Sequence, residues 1–554
     1  MTSKQKFLFA GIVLLAIFFR FYMIGSMPGG LFPDEAAHGI DIISMQQGDI
    51  QPFYERGNGR EALFFYFLWG SVELFGPGAW QHHIVSAGFG LLIVIITFFL
   101  TRQLVLLADP AKNQDRANWI SLLAMFFAAA STWHTVLSRT AFRANLLPLF
   151  ASLALYTLIL TFNAKTKGKR YLHAILTGSF MSLGMYTYIG YRVFIPVVGI
   201  LVFWPMMVDV FTQPRFEQIK KFFTPAVWAA VAFVVVMFPL GKYFYDHPGS
   251  FVGRSGQVSV FNTDLNQGDL LGAIGEVTRL SLQAYFWDGD LNWRHNISGQ
   301  PFLSIMISPF FALGLIMSTY WAARYGLNPS RFKDKWTYFL LAGWFWSMLM
   351  PVITTAEGIP HGLRAIGTIP AVFIMAAMGL WWVREYIGQW TQKYWAMMPE
   401  WKHVFITVLK YTLITVFVIA YIAQAYVLYF VIAKDSPENA YAFRSDLPVV
   451  IDYLKENGNK ENTYLILDKF SVQTVDYITT VEPRNPSSPK NNPYKQVDPE
   501  NSWELELKTG DKIVFTQSSI FDIKKFKQYH PDARLERETR NRFGQAVLAV
   551  YIEQ

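Results

Sequence analysis

Apolar residues in this chain come in long runs, not in the short alternations of a soluble sheet. Roughly 20 apolar residues are needed to span the hydrocarbon of a bilayer. On that measure about eleven segments qualify: 7–25, 80–106, 118–138, 142–163, 171–190, 192–211, 222–241, 301–321, 336–355, 365–384 and 403–433. The run 62–75 is also apolar, but it is short, follows Glu61, contains Glu73 and precedes Gly76 and Pro77, which predicts a helix lying in the interface. Lys4 and Lys6 ahead of the first run resemble a signal peptide. No small-residue cleavage pattern follows and many more runs do, so the first run is an uncleaved span. Past Ala433 the pattern turns charged: helices are predicted at 447–454 and 472–478, strands at 464–467, 512–515 and 546–552, and a Pro-rich break at 483–493. The expected fold is an all-α polytopic membrane domain over 1–433, with outer loops 26–79 and 242–300, followed by a small α/β domain over 434–554.

Composition agrees with the pattern. Hydrophobic residues make up 52% of the chain and aromatic residues 17%, too apolar for a soluble enzyme of ordinary composition. The absence of cysteine excludes disulfides, thiolate metal sites and Cys nucleophiles. A net charge of +8 raises nucleic acid as a partner, but the Lys residues sit in short loops between apolar runs and form no basic stripe, so no nucleic acid is expected. With the amino terminus in the cytoplasm, Lys gathers on the inner loops, as the positive-inside rule requires. The outer segments carry mainly Arg: Arg56, Arg60, Arg139, Arg143, Arg192, Arg254, Arg279, Arg294 and Arg364, with Lys242. This describes a multi-pass protein of the plasma membrane whose carboxy-terminal domain is extracytoplasmic. Arg offers a planar fork of donors that suits phosphate, so the Arg-rich outer face points to an anionic substrate; snorkelling and pairing with outer carboxylates are the bland alternative.

The first outer loop holds Gly29-Gly-Leu-Phe-Pro-Asp-Glu-Ala-Ala-His-Gly39. Pro33 keeps Phe32 out of the α region, so a helix can begin only there, with Asp34 and Glu35 in its first turn. Two carboxylates at that place serve an ordinary helix cap equally well. Their surroundings favour chemistry. His38, Asp41, Arg56 and Arg60 share the loop, Arg139 and Arg143 lie at the next outer hairpin, Arg192 opens a later span, and Glu357, His361 and Arg364 precede the tenth. One carboxylate accepting a proton, beside Arg residues that neutralise a phosphate leaving group, suits glycosyl transfer from a lipid phosphate, where no general acid is required.

At four places the chain resembles the GT-C glycosyltransferases, specifically glycosyltransferase family 39, the protein O-mannosyltransferases and the aminoarabinose transferases of lipid A. Phe32-Pro-Asp-Glu35 is similar to the family's acidic motif. Asn58-Gly-Arg-Glu-Ala-Leu-Phe-Phe-Tyr66 resembles its Lys-Pro-Pro-Leu-Tyr-Tyr stretch, Ser138-Arg139 its Ser-Arg turn, and the segment from Pro360 to Pro370 the Arg-containing start of a late helix. Glu61-Ala62 stands where the family has Pro-Pro, and the acid expected shortly after the Ser-Arg turn is replaced by Arg143 and Asn145. The resemblance implies an inverting transferase using a polyprenyl-phosphate sugar on the outer face and passing the sugar to an acceptor hydroxyl of a glycan, lipid or protein. It implies Asp34 as base with Glu35 beside it, and Arg60 at the donor phosphate; Arg139 and Arg364 join Arg60 by their outer position. His38, Arg143, Arg192, Glu357 and His361 are additional candidates. Asp34, Glu35 and His38 could also share a helix face and hold a divalent cation, so the metal stays open. A transporter or flippase would carry charges at mid-span and often an internal repeat, and neither is read here. A scaffold with a soluble binding domain would need no base at all.

Overall fold

The computed structural model describes residues 1–57, 59–109, 111–200, 216–251, 259–326, 329–355, 357–395, 398–481 and 491–554. Helices stand at the predicted spans. They begin with α1 (Ser3–Phe21), and after the first long loop come α4 (Ala79–Ala108), α5 (Gln114–Ala129), α6 (Thr132–Arg139), α7 (Leu146–Asn163) and α8 (Lys167–Met185). The later ones are Phe216–Asp246, Ser308–Tyr325, Pro329–Ile353, Ala371–Trp395 and Glu400–Tyr426, the last continued by a π-helical turn Val427–Ala433. The span expected at 192–211 starts as the helix Tyr191–Ile200 and then leaves the described residues, as does most of the Pro-rich break at 483–493.

Among the described residues five helices are long and apolar enough to cross a membrane, six if the pair α5 and α6, bent by 59°, counts as one. These are the helices of an integral membrane protein. The figure of eleven is not reached on that measure because several of the remaining helices open on charged turns, as α1 does with Lys4 and Lys6 and α8 with Lys167, Lys169 and Arg170. The bend between α5 and α6 has a local cause. Ser131 caps α6 by accepting from His134 N, which stops α5 and restarts the chain in a new direction.

Two short helices lie between α1 and α4, namely α2 (Pro33–Gln46) and α3 (Leu63–Phe75), linked through a two-stranded ribbon of β1 (Phe53–Tyr54) and β2 (Arg60–Glu61). At about 1.5 Å per residue α3 reaches about 20 Å, too short for a hydrocarbon core of about 30 Å. Its Phe64, Phe65, Leu68 and Val72 are buried while Phe67, Leu74 and Phe75 are exposed, as expected of a helix with a second apolar face turned to lipid.

Beyond Ala433 a five-stranded sheet runs in the order β4-β3-β5-β7-β6, with β3 (Thr463–Ile466), β4 (Lys495–Val497), β5 (Lys512–Thr516), β6 (Arg534–Arg540) and β7 (Ala546–Ile552). Strand β3 is parallel to both its neighbours, β4 and β5, and β7 is antiparallel to β5 and β6. One face packs Leu465, Val514, Leu548 and Val550 under the helices Leu447–Asn457 and Val472–Thr480; the other packs Ile513, Phe515 and Ala549 on Phe526. Strands β4 and β6 were not expected from the pattern. Both lie at sheet edges, and the seven residues Arg-Leu-Glu-Arg-Glu-Thr-Arg of β6 are almost wholly exposed, so no apolar alternation marks them. Charges on an edge strand discourage pairing with another chain.

This sheet unit sits directly on α2. Tyr477, on the helix Val472–Thr480, is buried with Leu31, Ala36 and Val481, and Thr474 Oγ1 donates to the Leu31 carbonyl at 3.1 Å. A Cβ on Gly39 would run into the Tyr477 ring, and one on Gly30 into the Phe443 carbonyl. Gly39→Ala should therefore destabilise the purified protein by about 1–3 kcal/mol, the usual cost of overpacking. Gly88→Ala, at a position in α4 with open space around it, should be neutral or stabilising by up to about 1 kcal/mol. Thermal unfolding in detergent compares the two; equal melting temperatures would show that the helix at 472–480 does not clamp α2.

Candidate active site

The start of α2 is arranged around one buried carboxylate. Pro33 occupies the first helical position and Phe32, in an extended conformation, has no side chain able to cap. Glu35 supplies the missing acceptor. Its Oε2 accepts from Phe32 N at 2.9 Å, and its Oε1 accepts from Ala141 N at 2.6 Å and lies 3.2 Å from His83 Nε2 on α4. Glu35 is fully buried. Burial is the largest single influence and would raise its pKa, but His83 and the two backbone N–H donors together outweigh it and hold the carboxyl below its ordinary value. Asp34 points the other way: its side chain is 55% exposed in a stretch where residues 35–39 are all buried.

Arg294 reaches Asp34 from the loop that follows the helix Leu270–Gln283. Its Nη1 lies 3.9 Å from Asp34 Oδ2, and its guanidinium carbon stands 3.5 Å from the centre of the Phe32 ring. On the next turns of α2, Asp41 is buried and pairs with Arg56 Nε at 2.8 Å and Arg60 Nη2 at 3.4 Å. Burial raises the Asp41 pKa, and Arg60 and Arg56 oppose that rise. Glu61, next to Arg60 on β2, is buried between Arg143 Nε at 3.1 Å and Arg192 Nη2 at 3.4 Å. Arg192 is sandwiched further by the rings of Phe244 and Phe251 at 5.0 and 4.4 Å.

The four guanidinium groups of Arg56, Arg60, Arg143 and Arg192 thus face two carboxylates, of Asp41 and Glu61, while Arg294 is shared by Asp34, Glu35 and Asp290. The surplus is cationic. Burial lowers the Arg60 pKa to about 10, with Asp41 pulling it back up and Arg143 adding to the fall. Arg60 Nη2 and Arg192 Nε are buried yet donate no hydrogen bond, since the 3.4 Å approach of Arg60 Nη2 to Asp41 is an ion pair without hydrogen-bond geometry. Unspent guanidinium donors in a buried, net positive cluster are the chemistry of an anion site.

Other residues singled out from the sequence lie elsewhere. Arg139 is fully buried and donates to the carbonyls of Phe19, Arg20 and Met27 and to the Tyr429 hydroxyl, so it closes the carboxy-terminal end of α1 and has no donor turned to the cluster. Arg364 donates to Thr355 Oγ1 at 3.1 Å and to the carbonyl of Glu357, whose own side chain is exposed. His38 is buried with its ring 4.8 Å from that of Phe65, and burial with the nearby Arg60 and Arg143 charges keeps its pKa well below the ordinary value. Asp34, Glu35 and His38 do not converge on one cation among the described residues: one points outward, one is bonded to backbone and His83, and one is packed on phenyl rings. Instead, ligand atoms of Asp290, His295 and His361 come within 4.8 Å of one another. Arg294, Asp290 and His295 carry no helical or strand periodicity that would have marked them; the length and aromatic content of the loop 242–300 were the sequence signal.

No family model matches the chain, and no curated protein matches it by sequence. Its fold is similar to that of ArnT from Cupriavidus metallidurans in the apo state, with a TM-score of 0.52 at 12% identity over 98% of this chain and 97% of that one. The same enzyme bound to undecaprenyl phosphate matches with a TM-score of 0.50 at 14% identity over 99% and 98%. The archaeal oligosaccharyltransferase AglB from Archaeoglobus fulgidus, in complex with an inhibitory peptide and a dolichol-phosphate, matches with a TM-score of 0.50 at 10% identity over 100% of this chain and 74% of that one. Identity at this level carries architecture and nothing finer, and the architecture is the GT-C fold of glycosyltransferases, as the resemblance of the acidic stretch implies.

Proposed function

We propose that the protein is a membrane glycosyltransferase that moves a sugar from a polyprenyl-phosphate donor to an acceptor hydroxyl on the outer face of the plasma membrane. The observation that carries this reading is the exposed Asp34 carboxylate beside a buried cluster of Arg side chains with unspent donors. The acceptor oxygen attacks the anomeric carbon from the side opposite the phosphate, the bond from that carbon to the phosphate oxygen breaks, and the hydroxyl proton passes to Asp34. One displacement inverts the anomeric configuration. Arg60, Arg143 and Arg192 hold the departing polyprenyl phosphate and stabilise its charge as it develops, while Arg294 orients Asp34. Glu35 acts as a positioning residue, fixing the start of α2 so that its neighbour faces the donor. Arg139 and Arg364, which the outer position of their loops had grouped with Arg60, serve the scaffold. Support for the donor class comes from the two structural neighbours, which hold undecaprenyl phosphate and dolichol-phosphate.

Asp34→Asn should fold normally and lose at least about a hundredfold in turnover, since Asn cannot accept the proton. Glu35→Gln should instead lower the melting temperature. Because the folded-state pKa of Glu35 lies below its ordinary value, its ionised form stabilises the fold above pH 4.5 or so, and that contribution is lost as the pH falls through the depressed folded value. The stability gap between wild type and Glu35→Gln should therefore narrow on acidification below about pH 4.5. Normal turnover in Asp34→Asn alongside a dead but stable Glu35→Gln would move the base by one residue.

Replacing Arg60, Arg143 or Arg192 with Ala should raise the donor KM about 10- to 100-fold, the worth of a charge-assisted hydrogen bond of about 1.5–3 kcal/mol. Lys should rescue only in part because a point charge lacks the guanidinium fork. Arg139→Ala should unfold more readily without a selective effect on donor KM. Steady-state kinetics with varied donor, paired with thermal melts, separates the two groups, and unchanged KM in all three Ala variants would remove the phosphate assignment.

Reporters fused near Gly57 and after Ala433 should both report the extracytoplasmic side, opposite to the amino terminus. A cytoplasmic signal from either would place Asp34 and the carboxy-terminal sheet on different sides of the membrane, which their direct packing forbids.

A further inference from the structure

We propose that Asp290, His295 and His361 form a binding site for a divalent transition metal of the zinc class, clipping the outer segment 285–300 to the segment 357–363 beside Asp34. The two segments are far apart in sequence and meet at this cluster of ligands. His295 Nδ1 lies 3.0 Å from Asp290 Oδ2, and His361 Nδ1 lies 4.0 Å from the same oxygen. The imidazole rings of His295 and His361 stack with centres 4.5 Å apart and an interplanar angle of 19°. The candidate ligand atoms of all three residues fall within 4.8 Å of one another, so small side-chain rotations bring them to the roughly 2.0–2.2 Å that zinc takes to nitrogen and carboxylate oxygen.

The ligand type fits as well as the spacing. Two imidazoles and one carboxylate are a borderline-soft set that favours zinc and its first-row neighbours over calcium or magnesium, which take oxygen. Asp290 and His295 are buried, and such a site excludes competing water ligands.

Outer partners hold the ligands in place, as metal sites require. Asp290 Oδ2 accepts from Gly362 N at 2.8 Å and Oδ1 accepts from Asn292 N at 2.8 Å, while the His295 ring lies 5.6 Å from that of Phe142. The Gly362 carbonyl accepts from Trp133 Nε1 at 3.3 Å, which ties the second segment to α6. A bond that competes for His361 Nδ1, from Arg364 N, is long at 3.4 Å. The consequence for the neighbouring site is geometric: His295 follows Arg294 directly, so a metal that fixes His295 fixes the base of the arm that reaches Asp34. The metal site itself is independent of the transfer reaction and can be tested without it.

Full-length protein, purified with an affinity tag free of histidine, is incubated with zinc sulfate, desalted and assayed by plasma mass spectrometry. About one zinc per chain is expected. His295→Ala and His361→Ala should each lower retained zinc at least about tenfold, in line with the loss of a ligand, while His247→Ala, an exposed histidine elsewhere, should retain it. Near-zero zinc in the wild type, or undiminished zinc in both variants, overturns the site. X-ray absorption at the zinc edge of the loaded wild type covers the case in which a variant fails to fold. Two imidazole ligands in its first coordination sphere are expected, and fewer than two refute the proposal.

Discussion

Glu35 is the constraint from which the surroundings of α2 are built. A carboxylate with no solvent contact is costly unless its lone pairs are occupied, and Glu35 meets that demand with the backbone of Phe32 and Ala141 and the imidazole of His83. Those three partners belong to the start of α2, to the turn after α6 and to the first turns of α4. One side chain thus joins three elements that lie far apart in the sequence. Asp34, one residue earlier on the same turn, is left exposed while residues 35–39 are buried.

A second surface of α2 is covered from the opposite side. Gly39 and Ala36 present almost no side chain, which lets Tyr477 of the carboxy-terminal unit lie flat on the helix, and Gly30 admits the backbone of Phe443 and Arg444 at close range. The helix carrying Asp34 is therefore held between the bundle and the sheet unit. Rigid support of this kind is what keeps a reacting group within the narrow geometry that catalysis needs.

Charge is sorted around α2 in two ways. Arg139 and Arg20, deep in the bundle, direct their donors to carbonyls at helix ends and to His134, where they replace the missing partners of terminal backbone groups. Arg60, Arg143 and Arg192 are shared among too few carboxylates, and two of their nitrogens donate to nothing. Leaving a buried donor unsatisfied costs about 1–3 kcal/mol. Such a cost is sustained where a ligand can supply the acceptor, as beside Arg60 and Arg192; Arg20 Nε, also without a partner, is enclosed in the bundle.

Much of this was legible in the order of residues, and the limits are physical. Pro33 alone determines where α2 begins, the longer apolar runs mark the helices, and the short apolar runs at 464–467, 512–515 and 546–552 mark the buried strands, because each of these signals is local. Strand β6 left no such mark because it is an edge whose two faces are both wet. The tertiary structure alone decided which arginines meet. Arg139 and Arg143 are four residues apart, but α6 ends between them, so one turns into the core and the other toward Glu61. It also decided that Arg294 would find Asp34, and that Asp290 and His295 would meet His361, across separations for which no periodicity exists. Ion pairs and ligand clusters are chosen by where loops land after the helices have packed, and a chain read in order carries the helices far more plainly than the landing.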